Sequence, residues 1–182
     1  MRILGQTEVE GLVAKGKDAP EQKITAILND LEREHPAVYR LIYGEPSDAI
    51  AAINKDMANL YLDLAFDVVW VFLEAFGKPP KIANEEGWVS QRLAMIDAEL
   101  KSLAPEVQMD HKLRTKLRER FANNSFASGI QLVLLQHLQG EVAKYASFKR
   151  RRAAAAQLTN NLLFVLVRLI SDLYNTKLTK SA

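Results

Sequence analysis

The chain has 182 residues, of which 48% are hydrophobic and 25% charged, and this composition is ordinary for one folded domain. It has no cysteine, which excludes disulfide bonds, cysteine-ligated zinc and a thiol nucleophile. The absence of cysteine is compatible with a reducing compartment, and we expect a cytoplasmic protein.

Targeting and membrane signals are weak in this sequence. Residues 1–11 carry three charges and no apolar core region, so we expect no secretory signal. The apolar run at 162–167 is interrupted by Arg168, and no apolar run reaches the roughly 20 residues that a bilayer requires. We therefore expect no membrane span.

Proline and glycine mark the ends of the predicted helices in the first half of the chain. Residues 1–17 are expected to be a flexible N-terminal segment, and Pro20 then lies in the first turn of a helix that ends near residue 35. Pro36 opens a short helix that ends at Gly44, a typical C-terminal residue.

The longest predicted helix follows that glycine. Ser47 is its predicted N-cap, and the helical pattern runs unbroken to Phe76. Gly77 and the sequence "KPPK" after it prevent any continuation.

Four helices are predicted in the second half. The first spans 84–103, and a short basic helix begins at Asp110. The next spans 126–147, and the last spans 149–174. Residues 176–182 are expected to be a flexible tail.

The predicted fold class is all-α, because no segment alternates apolar and polar residues as a strand does. We expect residues 1–182 to form a single-domain bundle of about six to seven helices. The helix that ends at Phe76 and the last helix are both apolar nearly all round, with one narrow polar line each. This pattern predicts two long, largely buried central helices.

The polar line on the first of these helices is acidic, and we call it the acid seam. Its members are Asp56, Asp63, Asp67 and Glu74. Their spacings of 7, 4 and 7 residues place them within about 20° of one line on a helix. Three interpretations remain open: a strip that reaches water, an ion-pair line facing Arg168 or another cation, and a metal or catalytic site.

The metal interpretation requires ligands from other helices. The candidates are Asp63, Asp67, Glu74, His137 and Glu141. Bundle di-iron sites use two Glu-x-x-His motifs, whereas this chain has that spacing once, at residues 32–35. No phosphate loop, nucleophile elbow or zinc-protease motif occurs. We therefore predict no cofactor and no enzymatic activity.

The two halves of the chain carry opposite charge. Residues 1–91 have 9 basic and 15 acidic side chains, and residues 92–182 have 15 and 7. Two basic clusters stand out in the second half: Lys112, Lys116 and Arg120, and then Lys149, Arg150, Arg151 and Arg152. They are candidate binding sites for an anion, a nucleic acid or an acidic partner. No base-stacking aromatic residues are interleaved in the first cluster, whereas the second follows Tyr145 and Phe148.

Aromatic and methionine side chains outside the central pair suggest an interface. They are Tyr39, Tyr43, Trp88, Met95 and Phe121. Apolar surface in excess of one core predicts a helical scaffold or protein-interaction module that forms a homo-oligomer, in its simplest form a homodimer. The alternatives are a bundle that binds a small ligand or a metal at the acid seam, and a polyanion-binding protein.

Overall fold

The computed structural model describes residues 1–102, 129–147 and 152–176. Within those ranges the chain is helical and contains no strand, which confirms the all-α prediction. The helices are α1 (Gln6–Lys17), α2 (Glu21–Glu34), α3 (Pro36–Tyr43), α4 (Glu45–Ile53), α5 (Lys55–Phe76), α6 (Glu85–Ser102), α7 (Leu132–Ala146) and α8 (Ala153–Asn175).

Helices α5 and α8 form the centre of the bundle, as predicted. They pack against each other, and each carries eleven buried residues. Helix α1 packs on α5 and α7, α4 packs on α5 and α8, and α6 packs on α3 and α8. Because the central pair is covered from several directions, its apolar side chains form one continuous core with those of the surrounding helices.

The predicted unbroken helix from Ser47 to Phe76 is wrong, because Asn54 divides it into α4 and α5. The backbone of Asn54 is extended, with φ −159° and ψ 110°, and its side-chain oxygen accepts a 2.8 Å hydrogen bond from the backbone N–H of Met57. Asn54 is therefore the N-cap of α5. Ser47 is not an N-cap, since it lies in the first turn of α4 and donates to the carbonyl of Gly44.

The end of α5 and the start of α6 agree with the prediction. Gly77 adopts a φ of +79°, a conformation that favours glycine, and α5 stops before it. Asn84 then accepts a 3.1 Å hydrogen bond from the N–H of Gly87 and caps α6. The segment 77–84 between them passes beside α2, to which Lys78 and Lys81 connect it.

The expectation of a flexible segment at residues 1–17 does not fit the structure, which has α1 there. Leu4, Val9 and Val13 are buried, and the indole N–H of Trp70 donates a 3.0 Å hydrogen bond to the carbonyl of Leu12. The side chain of Gln131 also accepts from the N–H of Leu4. Helix α1 is therefore part of the bundle.

The last two helices begin later than predicted. Helix α7 starts at Leu132 rather than at residue 126, after Gly129 with φ +68°, and α8 starts at Ala153. The predicted basic helix from Asp110 lies outside the described residues. So do Lys112, Lys116, Arg120, Lys149, Arg150 and Arg151.

Among the described helices, α8 is long and apolar enough to cross a membrane by length and composition, with a mean hydropathy of 1.5 over its most apolar window. Half of that window is buried inside the bundle, as in a core helix. Helix α8 reaches this mean hydropathy because Arg168 and Asp172 are its only charged residues. The absence of a membrane span stays a prediction.

Candidate functional site

The acid seam differs in exposure along its length. Asp56, Asp63 and Glu74 are exposed, whereas Asp67 is buried with 7% of its surface accessible. Asp67 interacts electrostatically with Lys17 of α1 and Glu141 of α7, so it lies where these two helices approach α5. The strip interpretation therefore fits Asp56, Asp63 and Glu74, and Asp67 is the exception.

Ion pairs account for only part of the seam. The ammonium group of Lys23 lies over the Trp70 ring and pairs with Glu74 at 2.9 Å. Glu74, the last residue of the acid seam, is therefore ion-paired. Arg168 lies 3.8 Å from Asp172, one turn along its own helix. This ion pair is local, whereas the ion-pair interpretation of the acid seam would place Arg168 opposite Asp63 and Asp67, and that interpretation stays open.

Asp67 sits among other titratable groups. Burial raises its pKa to about 6, Lys17 opposes this increase, and Asp63 and Glu141 add to it. His137 in turn interacts electrostatically with Glu141. Four of the five candidate metal ligands therefore share one neighbourhood, and Glu74 points to Lys23 instead.

This neighbourhood does not have the geometry of a metal centre. Within residues 1–102, 129–147 and 152–176, no group of three or more histidine and acidic side chains is placed to hold an ion. Glu141 is engaged with Lys144 at 2.6 Å, and this bond is the main reason that its pKa is lowered. The acid seam is better described as a partly covered polar strip.

A cavity lies on a different side of α5, between α2, α3, α5 and α8. Its volume is about 350 Å³. Most of its wall is apolar, and the side chains that form the floor are Leu31, Val38, Val69, Phe72, Ile170 and Leu173. An apolar cleft of this size between helices is typical of small-molecule binding sites.

The rim of the cavity is built from ion pairs that join α2 to the segment after Gly77. Lys78 lies 3.3 Å from Asp30, and Lys81 pairs with Glu34. Arg33 pairs with both acids from the α2 side. The bonded lysines are the main reason that the pKa values of the Asp30 and Glu34 carboxyls are lowered, so both acids are ionised at neutral pH.

Tyr174 holds the start of that segment in place. Its hydroxyl donates a 2.7 Å hydrogen bond to the carbonyl of Gly77, and its ring packs 5.3 Å from that of Phe72. Burial raises the pKa of the hydroxyl, which therefore stays protonated and remains a donor.

One buried polar pair reaches the cavity wall. Nδ1 of His35 lies 2.9 Å from Oε1 of Glu85, and the His35 side chain is 4% exposed. The second carboxylate oxygen of Glu85 accepts a 2.9 Å hydrogen bond from the backbone N–H of Ala37, at the start of α3. Glu85 thus fixes both the histidine ring and the helix that follows it.

The cavity is not predictable from the sequence patterns described above. In those patterns His35 belongs to an incomplete metal motif, Glu85 to a helix start and "KPPK" to a helix end. One feature of the cavity rim does have a sequence signal, because Asp30 and Glu34 lie one turn apart on α2 and so share a face. Their lysine partners lie 48 and 47 residues away along the chain, a pairing that local patterns do not reveal.

Comparison with known proteins gives no match among family models, curated proteins or solved structures.

Proposed function

We propose that this protein binds a small, largely apolar molecule in the cavity between α2, α3, α5 and α8, and that it binds without chemical conversion. The observation that carries the proposal is the cavity of about 350 Å³ with an apolar floor and a charged rim. This proposal corresponds to the small-ligand alternative of the sequence analysis. The cavity, however, lies on a different surface of α5 from the acid seam.

Packing physics supports an occupant. Protein interiors are close-packed, and side chains that line an empty space lose dispersion contacts on that side. Leu31 and Val69 line this cavity and keep 9% and 8% of their surface accessible, so they have surface left for a ligand to contact. A bound apolar molecule would restore those contacts and would gain from leaving water itself.

The ion pairs at the rim oppose the entry of a ligand only weakly. The side chains of Lys78 and Lys81 are 78% and 77% exposed, and exposed ion pairs contribute only about 0–1 kcal/mol each. Opening the rim therefore breaks weak contacts and leaves the apolar core intact. The pairs narrow the opening without sealing it.

Binding is favoured over catalysis by the chemistry of the wall. The described residues that line the cavity include no serine, threonine or cysteine, and the Tyr174 hydroxyl is already engaged. The wall thus lacks serine, threonine and cysteine nucleophiles, and its lysines and carboxylates are paired with each other.

The scaffold hypothesis has less support from the described surface. Tyr39, Tyr43 and Trp88 pack against the core, and Met95 is exposed at 48%. Phe121 lies outside the described residues. Homo-oligomer formation therefore stays a prediction.

Polyanion binding also stays a prediction. Of the two basic clusters, only Arg152 is among the residues that the structure describes. Its guanidinium stacks 3.9 Å from the ring centre of Tyr145.

The direct test is thermal unfolding with a bicyclic apolar probe such as benzofuran, in wild type and two matched variants. Ile27→Trp places an indole into the cavity from α2, and Ala26→Trp places one on the exposed face of the same helix. We expect benzofuran to raise the melting temperature of wild type and A26W but not of I27W. Equal shifts in all three proteins, or no shift in wild type across a panel of similar compounds, would overturn the proposal.

A further inference from the structure

His35 is the residue of the cavity wall with unused hydrogen-bonding capacity. It lines the cavity and is 3% exposed. Its Nδ1 faces Glu85, so Nε2 points away from that carboxylate. Among the described residues, no group forms a hydrogen bond with Nε2. Each of the other polar side chains in the wall has a described partner.

Glu85 determines which ring nitrogen carries the proton. An ionised carboxylate only accepts hydrogen bonds, so Nδ1 must be the protonated nitrogen that donates to it. Glu85 is itself fixed by the N–H of Ala37, which leaves it little freedom to turn away. In the neutral imidazole, Nε2 is then an acceptor with no proton.

A purely structural role for His35 would not require this arrangement. The backbone of His35 already ends α2, through a 2.8 Å bond to the carbonyl of Leu31, and begins α3 by accepting from Tyr39. Its side chain ties α3 to α6 through Nδ1 and Glu85 alone. Nε2 serves none of these contacts, so it stays free to accept a hydrogen bond from a molecule in the cavity that His35 lines.

We propose that the ligand class of this cavity is an apolar molecule with one hydrogen-bond donor, a hydroxyl or an aromatic N–H, which donates to Nε2 of His35. This inference rests on the proposed function, because it specifies the chemistry of the same cavity. The apolar floor holds the body of the ligand, and the dyad of His35 and Glu85 orients its polar group.

Indole and benzofuran form a matched pair of probes, because they have nearly the same shape and only indole has an N–H donor. Quinoline, a ring of similar size, offers an acceptor and no donor. In wild type at pH 7.5 we expect indole to bind about three- to tenfold more tightly than benzofuran, which is the range that one hydrogen bond supplies. Quinoline should bind no better than benzofuran. Calorimetric or NMR titration measures all three constants.

Glu85→Gln provides the decisive variant. The amide carbonyl can still accept from the N–H of Ala37, while the amide N–H₂ donates to Nδ1 and so moves the ring proton to Nε2. The wall then presents a donor, and we expect the preference to reverse, with quinoline bound more tightly than indole. A structural effect of the substitution would weaken all probes together and would not reverse their order.

A measurement on wild type alone keeps the inference testable if that variant does not fold. Nitrogen-15 NMR of labelled histidine should show His35 protonated at Nδ1, with an Nε2 resonance that moves on addition of indole and not of benzofuran. Equal affinity for the probes with an unmoved Nε2 resonance would overturn the inference and leave the proposed function standing. If no probe binds at all, the proposed function fails as well.

Discussion

Gly16 lies against the indole ring of Trp70. A Cβ atom at this position would stand 3.0 Å from Cδ1 of the ring, closer than side chains normally pack. The contact places the last turn of α1 directly on α5, and the indole N–H secures it by donating to Leu12. Glycine is the residue that permits this approach.

Gly16→Val should therefore destabilise the protein by about 1–3 kcal/mol, because the added carbons force α1 away from Trp70. Gly11→Val is the matched control, since Gly11 lies on the same helix and a Cβ atom there would meet nothing within 4 Å. Urea unfolding of both variants measures the difference. Equal unfolding free energies would mean that α1 does not depend on this contact.

The raised pKa of the Asp67 carboxyl predicts that the stability of the protein depends on pH. Its pKa is about 6 in the folded protein and 3.8 for the free side chain, so the folded state binds more protons between these values. Ionising the buried carboxylate therefore lowers stability as pH rises from about 4 to 7. Asp67→Asn removes this effect, and we expect it to be more stable than wild type by about 1–3 kcal/mol at pH 7.5, with little advantage at pH 4.

The control for that experiment is Asp56→Asn, at the exposed end of the acid seam. Because Asp56 lies in the first turn of α5, where a carboxylate is favoured, D56N should be no more stable than wild type at pH 7.5 and at most about 1 kcal/mol less stable. Chemical unfolding of the three proteins at each pH checks the prediction. A stability difference between D67N and wild type that is the same at pH 4 and pH 7.5 would contradict it.

Asn54 caps α5, and its side chain should account for a measurable part of the stability. Asn54→Ala is expected to cost about 1 kcal/mol through the loss of the hydrogen bond to Met57. Asn59→Ala, on the exposed side of the same helix, should be neutral or slightly stabilising, since alanine is the better helix former. Thermal unfolding distinguishes the two variants, and equal melting temperatures would show that the cap contributes nothing.

The rim pairs should affect the rates of ligand exchange more than the affinity. Replacing Lys78 and Lys81 together by methionine removes their pairs with Asp30 and Glu34. Because the apolar floor is unchanged, we expect the association and dissociation rates of benzofuran both to rise while its dissociation constant changes less than about threefold. NMR line shapes during titration report both rates. A large loss of affinity, caused by faster dissociation with an unchanged association rate, would show that the lysines contact the ligand directly.

Features of the fold that depend on local chemistry are predictable from the sequence. Gly77, the prolines after it and Asn84 fix helix ends through backbone geometry and capping, and these ends agree with the structure. The apolar surface of α5 and α8 likewise predicts the central pair. Such signals are contained within a few residues of where they act.

Features that depend on distant contacts are not predictable in this way. Ser47 and Asn54 are both good capping residues within one apolar pattern, and only the packing decides that Asn54 starts α5. Helix α1 has few buried positions, so its apolar pattern in the sequence is weak. What holds it in the bundle is the hydrogen bond of Trp70 to Leu12 and that of Gln131 to Leu4, just before the helix. The cavity joins side chains from four helices, and its dyad links residues 50 positions apart.

Gln131 has a consequence for how the chain reaches its native state. Its side chain accepts from the N–H of Leu4, 127 positions earlier in the sequence, and donates to the carbonyl of Arg2. A contact of such long range closes a large loop, and its entropic cost delays it relative to local helix formation. We therefore expect the N-terminal residues to dock late in folding, after α7 has reached the central pair. Because Lys17 of α1 and Glu141 of α7 both act on Asp67, we expect the pKa of its carboxyl to stay near 3.8 until these helices have docked.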